Sequence, residues 1–497
     1  VTEWSDTAIQ VAVPEGAPNA WQDVTVTTEG GSATQPGLFV GAEFLGDDHE
    51  LLDFLGQQPA GSAVLLGART YDLREEDMFL LDNVDLHGRG AGETELQFPD
   101  GGALVLADYG HVTHIVGLST SGGPLRFAGG TAAGKEFPLP GEGEIKAMAD
   151  LRDHVAEVAT LASPPDGLRP TIVLRDLVIG QGHMLMPYIG SYDHALHESI
   201  NSTPETSLHI RTTGDVILDG VTASSSRARI VSLGGSLQVM RSDMRFEDGY
   251  LAAGGGMMIS DSALTAENGN LYIAGDRESI GTRLPGGPIT VTRSSLKALD
   301  TDPEALEWRG ELALFTTDAP ITLTDNPELV AHGDFFVETD YGSFGVETNA
   351  GSFGETGIEF ARNASVRANN LYLSVYESSW VTSHVNFSDN DLSIADTLRI
   401  DGVDGYISLD FSGNTGVIGD GSGQLLILGN VGGTVAMNGN DLQVASSTVI
   451  ELRTLTAASF SMTDNLLNET DSLSSTLWIS LDGFEEALIS GNEVSTN

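Results

Sequence analysis

The sequence predicts an all-β solenoid, a stack of strand-rich coils, and three observations carry that prediction. The first is a six-residue phrase that recurs ten times between Leu237 and Asn492, at spacings of 20 to 37 residues. Val385-Asn386-Phe387-Ser388-Asp389-Asn390 and Leu409-Asp410-Phe411-Ser412-Gly413-Asn414 are two of the copies. The second is that the first and third places are apolar in every copy, the period-2 signature of a strand with one buried face. The third is the last place, which holds Ser in the first three copies and Asn in the seven that follow. Like residues stacked at a repeating interval describe an architecture in which each repeat touches only its neighbours.

Each column of the phrase has a physical meaning. The third place runs Val239, Ile259, Val291, Leu323, Phe360, Phe387, Phe411, Met437, Met462, Ile489, a continuous core. The Asn of the sixth place predicts a ladder, because stacked amides can bond from coil to coil at about 4.8 Å. Asn also tolerates the left-handed backbone that a sharp corner needs, so the corner is expected at this place. The fifth place runs Arg241, Asp261, Arg293, Asp325, Arg362, Asp389, then Gly413, Gly439, Asp464, Gly491. Alternating sign predicts each Arg held between the Asp of the coils on either side.

Composition sets limits. A length of 497 residues could hold three ordinary domains, but a solenoid grows by adding coils and one elongated domain serves as well. There is no Cys, so disulfides and thiolate metal sites are excluded. No run of 18 apolar residues exists, so no helical membrane span is expected. A net charge of −48 repels nucleic acid, acidic polysaccharide and anionic lipid. The only lysines are Lys135, Lys146 and Lys297. An acid-rich, Lys-poor surface suits high salt or divalent cations, which leaves bound Ca2+ open as a cofactor.

In chain order, residues 1–46 read as irregular, with short β-like runs such as Val24-Thr25-Val26. Asp47-Asp48-His49-Glu50 opens a short helix, Leu51 to Leu55, with acids at its N-terminus as the helix dipole prefers. Gly61-Ser62-Ala63-Val64-Leu65-Leu66-Gly67-Ala68-Arg69-Thr70-Tyr71-Asp72-Leu73 follows, then Asn83-Val84-Asp85-Leu86-His87-Gly88-Arg89-Gly90. Glu144 to Leu161 reads as an amphipathic helix inserted into the solenoid, with apolar residues at 3- and 4-residue steps, ended by Pro164-Pro165. The expected organisation is an N-terminal extension and cap over 1–60, then the solenoid over 61–497. Insertions are expected near 126–170, 180–205, 275–287, 300–309 and 340–357. No helical cap follows Asn492, so a partner or a further segment is expected to meet the C-terminal end.

The short helix followed by G-x-x-V-L-L-G-A-x-T-Y-D-L and N-V-D-L-x-G-x-G resembles the opening of proteins of the pectate-lyase-like superfamily. The resemblance implies a single right-handed parallel β-helix whose N-terminal end is capped by the helix. That superfamily contains polysaccharide lyases, hydrolases and epimerases, and also phage tailspikes and surface adhesins, so the fold does not choose among them. The local catalytic phrases of its enzymes are absent, and no catalytic residue is carried over.

Two stretches carry candidate chemistry. In residues 183–229, His194-x-x-His197-Glu198 offers acid/base groups, Tyr188 and Tyr192 offer rings for sugar stacking, and Arg227 and Arg229 share one strand face. Between Thr206 and Phe246 five Arg stand against three Asp, a local charge of 5 − 3 = +2 in an acidic chain. A polar loop packed beside the solenoid explains the same residues, and His-x-x-His alone is too weak a signal to assign a metal. The second stretch is the Gly/Ser/aromatic loop Tyr341 to Thr348, either a sugar platform or packing. The sequence thus supports a secreted or cell-surface adhesive, carbohydrate-binding or structural spine whose partner is a polysaccharide or cell-surface glycan. A lyase, epimerase or hydrolase of an acidic glycan is the alternative.

Overall fold

A computed structural model describes residues 3–4, 9–10, 20–28, 31–59, 61–74, 78–82, 84–98, 103–107, 112–122, 171–179, 207–212, 214–232, 235–275, 286–300, 310–317, 319–340, 357–376, 382–419, 423–454, 458–469 and 476–496. The inserted helix expected at Glu144 to Leu161 lies outside these residues, as does most of each expected insertion. The chain divides into two compact units, Val1–Gly190 and Ser191–Asn497. Both are built as parallel β-helix.

In the first unit, parallel strands stack in three columns. Ala42–Phe44, Ser62–Leu66, Val84–His87, Val112–Val116 and Thr171–Arg175 form one, with Ala42, Val64, Leu86, Ile115 and Leu174 in register. Thr70–Asp72, Glu95–Phe98, Ser119–Gly122 and Val178–Ile179 form the second, and Met78–Asp82 with Ala103–Ala107 the third. The first corner, Gly67 to Arg69, leads into the strand Thr70–Asp72 of the TYDL phrase. Buried Tyr71 lies under it and its hydroxyl accepts the Gly67 N–H at 2.7 Å, while Thr94 Oγ1 donates to the Gly67 carbonyl at 3.0 Å. The expected helix is present as a 3-10 turn, Asp48–Glu50, running into Leu51–Gly56. The Asp47 N–H donates to Glu50 Oε2 at 3.2 Å, Leu51 and Leu55 are buried, and the Phe54 ring lies 5.1 Å from that of Phe44.

The described residues of the stretch 1–46 are not irregular. Ala20–Thr28 and Gly31–Val40 pair as an antiparallel hairpin, bulged between Gln22 and Val24. Val, Thr and aromatic residues on both sides of Glu29-Gly30-Gly31 satisfy strand propensity and turn chemistry together, a signal diluted by the polar residues among them.

In the second unit each coil carries three strands. A representative coil is Ile289–Thr292, Ser295–Ala298 and Leu312–Thr317; the next is Ile321–Thr324, Glu328–Ala331 and Phe335–Asp340. All three pairs are parallel and in register, with Ile289 on Ile321, Leu296 on Leu329 and Leu312 on Phe335. The repeated phrase is the first strand of each coil. Its first and third residues are buried from Leu237 to Met462. Inside, Phe360, Phe387 and Phe411 form a near-parallel stack with centroids 5.0 and 5.3 Å apart. Full burial of each ring contributes roughly 1.5–3 kcal/mol before packing terms.

The ladder is a closed polar circuit inside this core. Asn390 Oδ1 accepts the Asn363 backbone N–H at 3.1 Å and the Asn363 side-chain N–H at 2.9 Å. Its own Nδ2 donates to the Phe360 carbonyl at 2.9 Å and to Asn414 Oδ1 at 3.0 Å. The same bonds repeat at Asn414, Asn440 and Asn465. Every donor and acceptor of these buried amides is used, as burial requires. The Ser copies form a thinner version. Ser262 Oγ accepts the Ser242 N–H at 3.1 Å and donates to the Ser260 carbonyl of its own coil at 2.7 Å, so no hydroxyl-to-hydroxyl bond crosses between coils.

The corner itself corrects the expectation. The left-handed residue is not the Asn but the one before it. Arg241, Asp261, Arg293, Asp325, Arg362, Asp389 and Asp464 have φ between 49° and 58°, and Gly413, Gly439 and Gly491 have φ of 65° to 67°. The Asn must be extended to aim its amide inward, so the positive φ falls on its neighbour. The charge column is confirmed with a correction. Arg293 grips Asp261 with two bonds of 2.7 Å, and Arg362 grips Asp325 at 2.8 and 3.1 Å. Arg241 bonds Asp219, in the fourth place of its coil, at 2.9 Å, because Gly220 holds the fifth. Arg293 and Arg362 thus reach back to one acid each rather than sitting between two. A guanidinium fork is filled by one carboxylate, and the next Asp acts on it only through space. Where no Arg follows, Gly does. The Asp389 and Asp464 carboxylates lie over Gly413 and Gly491, where a Cβ would come within 2.3 and 2.1 Å of them.

Candidate functional site

The third strand of each coil in the second unit carries the chemistry. Its inward residues, such as Leu271, Ile273, Leu312, Leu314, Phe335 and Val337, are buried, and register then aligns the outward residues into columns. One column runs Tyr250, Tyr272, Ala313, Phe336, Tyr372, Arg399, Leu426, Val449, Trp478. It is an aromatic and apolar stripe crossing nine coils. Tyr250, Tyr272, Phe336 and Tyr372 are half-buried, and Trp478 is 58% exposed. The rings of Phe336 and Tyr372 stack at 5.0 Å with 12° between their planes.

Polar side chains flank the stripe. Asn270 Nδ2 donates to the Tyr272 hydroxyl at 3.1 Å, and that hydroxyl donates to Glu311 Oε2 at 3.3 Å. Asn270 Oδ1 accepts the Glu311 N–H at 3.0 Å, and the Asn270 N–H donates to Asp248 Oδ1 at 3.0 Å. One rung on from Glu311, Asp334 Oδ1 accepts Asn370 Nδ2 at 2.7 Å, and Asn370 Oδ1 accepts the Thr397 N–H at 3.0 Å. Burial pushes the Glu311 carboxyl up, and the charge of Asp334 adds to this against the Tyr272 hydrogen bond. Burial, and then the Glu311 charge, push the Tyr272 hydroxyl up to about 12. Burial also raises Tyr372, with Asp334 and Asp396 adding and Arg399 opposing. Arg399 is itself bonded to buried Asp401, Nε to Oδ2, at 2.9 Å. On the other flank Val231, Ala252 and Ala274 are outward yet buried, packed with Tyr250 and Phe315.

Of the residues singled out from sequence, Tyr188, Tyr192, His194 and His197 lie outside the described residues, and so does the Tyr341 to Thr348 loop. Arg227 and Arg229 lie on the strand Thr222–Ser232, in register with Asp248 and Tyr250. They therefore stand at the start of the columns just described. Two more of the five local Arg, Arg241 and Arg245, are spent on Asp219 and Asp243. Sequence reasoning missed Tyr250, Tyr272, Phe336 and Tyr372, which lie 22, 64 and 36 residues apart in turn. A signal existed: Leu271-Tyr272-Ile273, Phe335-Phe336-Val337 and Leu371-Tyr372-Leu373 are one phrase. Insertions of unequal length before it hide its period. Among the described residues no group of three or more His, Asp or Glu is placed to hold a metal ion, and no helix is long and apolar enough to cross a membrane. Compared with protein-family models and with curated proteins, the chain matches none.

Proposed function

We propose that the protein is a secreted or cell-surface spine that binds a linear glycan along the stripe from Tyr250 to Trp478. The parallel β-helix and the opening motifs are those expected of a pectate-lyase-like protein, which supports an extracellular carbohydrate role by analogy of fold. The observation that carries the reading is the stripe itself. A line of partly exposed side chains, two pairs of rings at Tyr250/Tyr272 and Phe336/Tyr372 followed by Leu426, Val449 and Trp478, marks an interaction site. Its length along the solenoid suits a polymer rather than a small molecule. Side-chain amides and carboxylates beside the rings suit sugar hydroxyls, which bond at their edges and present apolar faces to aromatics. The test is retention of the protein on immobilised glycans. Phe336→Ala with Tyr372→Ala should abolish retention, and Trp478→Ala should weaken it. Unchanged retention of both variants on a glycan that holds the wild type would end this reading.

One observation favours a second reading, cleavage of the bound glycan. Glu311, raised by burial and held by Tyr272 beside Asp334, has the character of a general acid next to a carboxylate. New chain ends released by wild type and not by Glu311→Gln would support it; none from any glycan that binds would exclude it.

A further inference from the structure

We infer that the hairpin Ala20–Thr28 and Gly31–Val40 is a strap over the outside of the first coils, and that acid releases it with His87 as the trigger. Alternation along the strands places His87 on that outside. Ala42, Val64 and Leu86 are in register as one inward row, so Glu43, Leu65 and His87 form the next row and face outward. An outward residue of a solenoid wall is ordinarily wet, yet Ala63, Leu65 and His87 are buried. What shields the imidazole therefore lies outside the wall. The Phe39 ring, at the end of the second hairpin strand, stands across it with centroids 5.4 Å apart and 64° between the planes. Both imidazole nitrogens are buried without a hydrogen-bond partner. A neutral ring tolerates such a place; a charged one requires acceptors.

The hairpin is attached so that it can leave. Among the described residues its two strands pair with each other and with no strand of the solenoid, so side chains rather than a sheet ladder hold it down. Gly41 joins it to the first coil. A Cβ there would overlap the Ala63 carbonyl oxygen and come within 2.7 Å of the Phe39 ring, so a glycine lets the chain lie against the wall and fold that ring back onto it. Lifting the hairpin about this point wets His87 while the ladder of the coil stays paired. No charge nearby is free to hold a buried imidazolium. Asp85, two residues back on the same strand, has one oxygen accepting the His114 N–H at 2.8 Å and the other 2.9 Å from His114 Nδ1. In its own column His87 lies between Leu65 and Val116, with Glu43 and Arg175 one rung further out on either side. Glu43 accepts an Arg89 N–H at 2.7 Å. The strand Gly31–Val40 has no charged residue, and Asp23 is the one charge in Ala20–Thr28. Burial holds the His87 pKa down to about 4 from 6.5, with Asp85 raising it and His114 lowering it. The open form returns the imidazole to its ordinary value and so binds the proton more tightly. The ratio of open to closed hairpin should then grow about 20-fold between pH 7 and pH 5, and about 100-fold between pH 7 and pH 4.

The chain has no cysteine, so single thiol reporters can be placed without background. Leu65→Cys sits under the hairpin, Leu86→Cys in the core beside His87, and Leu45→Cys at a position that is 84% exposed. Each is reacted with 4,4′-dithiodipyridine, which labels thiols in acid as well as at neutral pH, and each rate is divided by that of Leu45→Cys at the same pH. The relative rate at Leu65→Cys should rise about 20-fold from pH 7 to pH 5, and adding His87→Phe should flatten the rise. Leu86→Cys should stay protected throughout. A flat Leu65→Cys profile would overturn the strap, and a rise that persists with His87→Phe would overturn the trigger. Equal rises at Leu65→Cys and Leu86→Cys would mean that the coil itself melts, which refutes release of the hairpin alone. The same question is put to the unsubstituted protein by amide exchange, corrected for the intrinsic effect of pH. A lone two-stranded hairpin is marginal in water, so residues 20–40 should lose protection at pH 5 while residues 84–87 and 112–116 keep theirs. Protection of the hairpin unchanged in acid would refute the inference.

Discussion

Asn414→Ala removes one amide from the middle of the ladder. The side chain is fully buried and makes four hydrogen bonds. Asn440 Oδ1 keeps the Asn414 backbone N–H at 2.9 Å, so it is not orphaned. The Asn390 backbone N–H and one Asn390 side-chain N–H lose their acceptor at 3.1 and 3.0 Å, and the Phe387 carbonyl loses a donor at 2.8 Å. Two buried donors stranded at about 1–3 kcal/mol each make a loss of roughly 4 kcal/mol. Asn414→Ser should cost less, about 1–2 kcal/mol, because a hydroxyl there still accepts the Asn390 N–H as Ser294 does for Ser262. The pair Asn390→Ala with Asn414→Ala should be less damaging than the sum of the singles, since the first removal already frees one of the stranded donors. Repeat arrays need not melt in one step. The measurement is therefore denaturant unfolding with amide exchange read at Asn390 and Asn363. Equal effects of Ala and Ser, or a loss under about 1 kcal/mol for Ala, would refute the closed circuit.

At the corner, Arg293→Asp stacks Asp261, the new acid and Asp325, and should lower the melting temperature more than Arg293→Ala; added salt should close the gap. Arg362 holds the Asp325 carboxyl below its usual range, and Arg293 does the same for Asp261, so their contribution is present above the ordinary carboxylate range and fades as pH falls below it, which an acid titration of wild type against Asp325→Asn will show. Gly416→Ala should disrupt its coil, because a Cβ at φ 126° would lie 2.0 Å from the Leu392 carbonyl oxygen, whereas Gly439→Asp, at φ 65° with open space, should cost under about 1 kcal/mol. His87 is buried with both ring nitrogens unpartnered and its pKa pushed down to about 4 by burial, with His114 also lowering it and Asp85 opposing. Its folded form stays neutral where the unfolded one is charged, so stability should fall by about 3 kcal/mol as pH drops from about 6.5 to about 4, and His87→Phe should flatten that slope in pH-dependent melts.

The ladder strand was legible because its columns repeat the same residues in one six-residue phrase. Val385 to Asn390 and Leu409 to Asn414 align by eye, and the inward-outward alternation follows from strand geometry alone. The left-handed place was misread because Asn, Asp and Gly share a tolerance for positive φ, and composition does not say which of two neighbours turns. Arg at that place gave no warning, since its φ near 50° is held by the coil and by a carboxylate below it rather than by propensity. The aromatic stripe was invisible for another reason. Tyr272 and Phe336 are separated by 64 positions and meet on one face only after two coils are closed. A site assembled across coils has no local motif.

In the Asn ladder every amide receives from the coil before it and gives to the coil after it. Such bonds are in series. Tension along this part of the solenoid would load each of them equally, while the backbone bonds of the three strand columns share the remainder side by side. Failure should then begin where a coil has a neighbour on one side only and travel inward one coil at a time. A molecule pulled from its C-terminal coil should yield as a train of small steps of about one coil's length of chain, and the Ser-bearing coils, which lack the side-chain-to-side-chain bond between coils, should give way at lower force than the Asn-bearing ones.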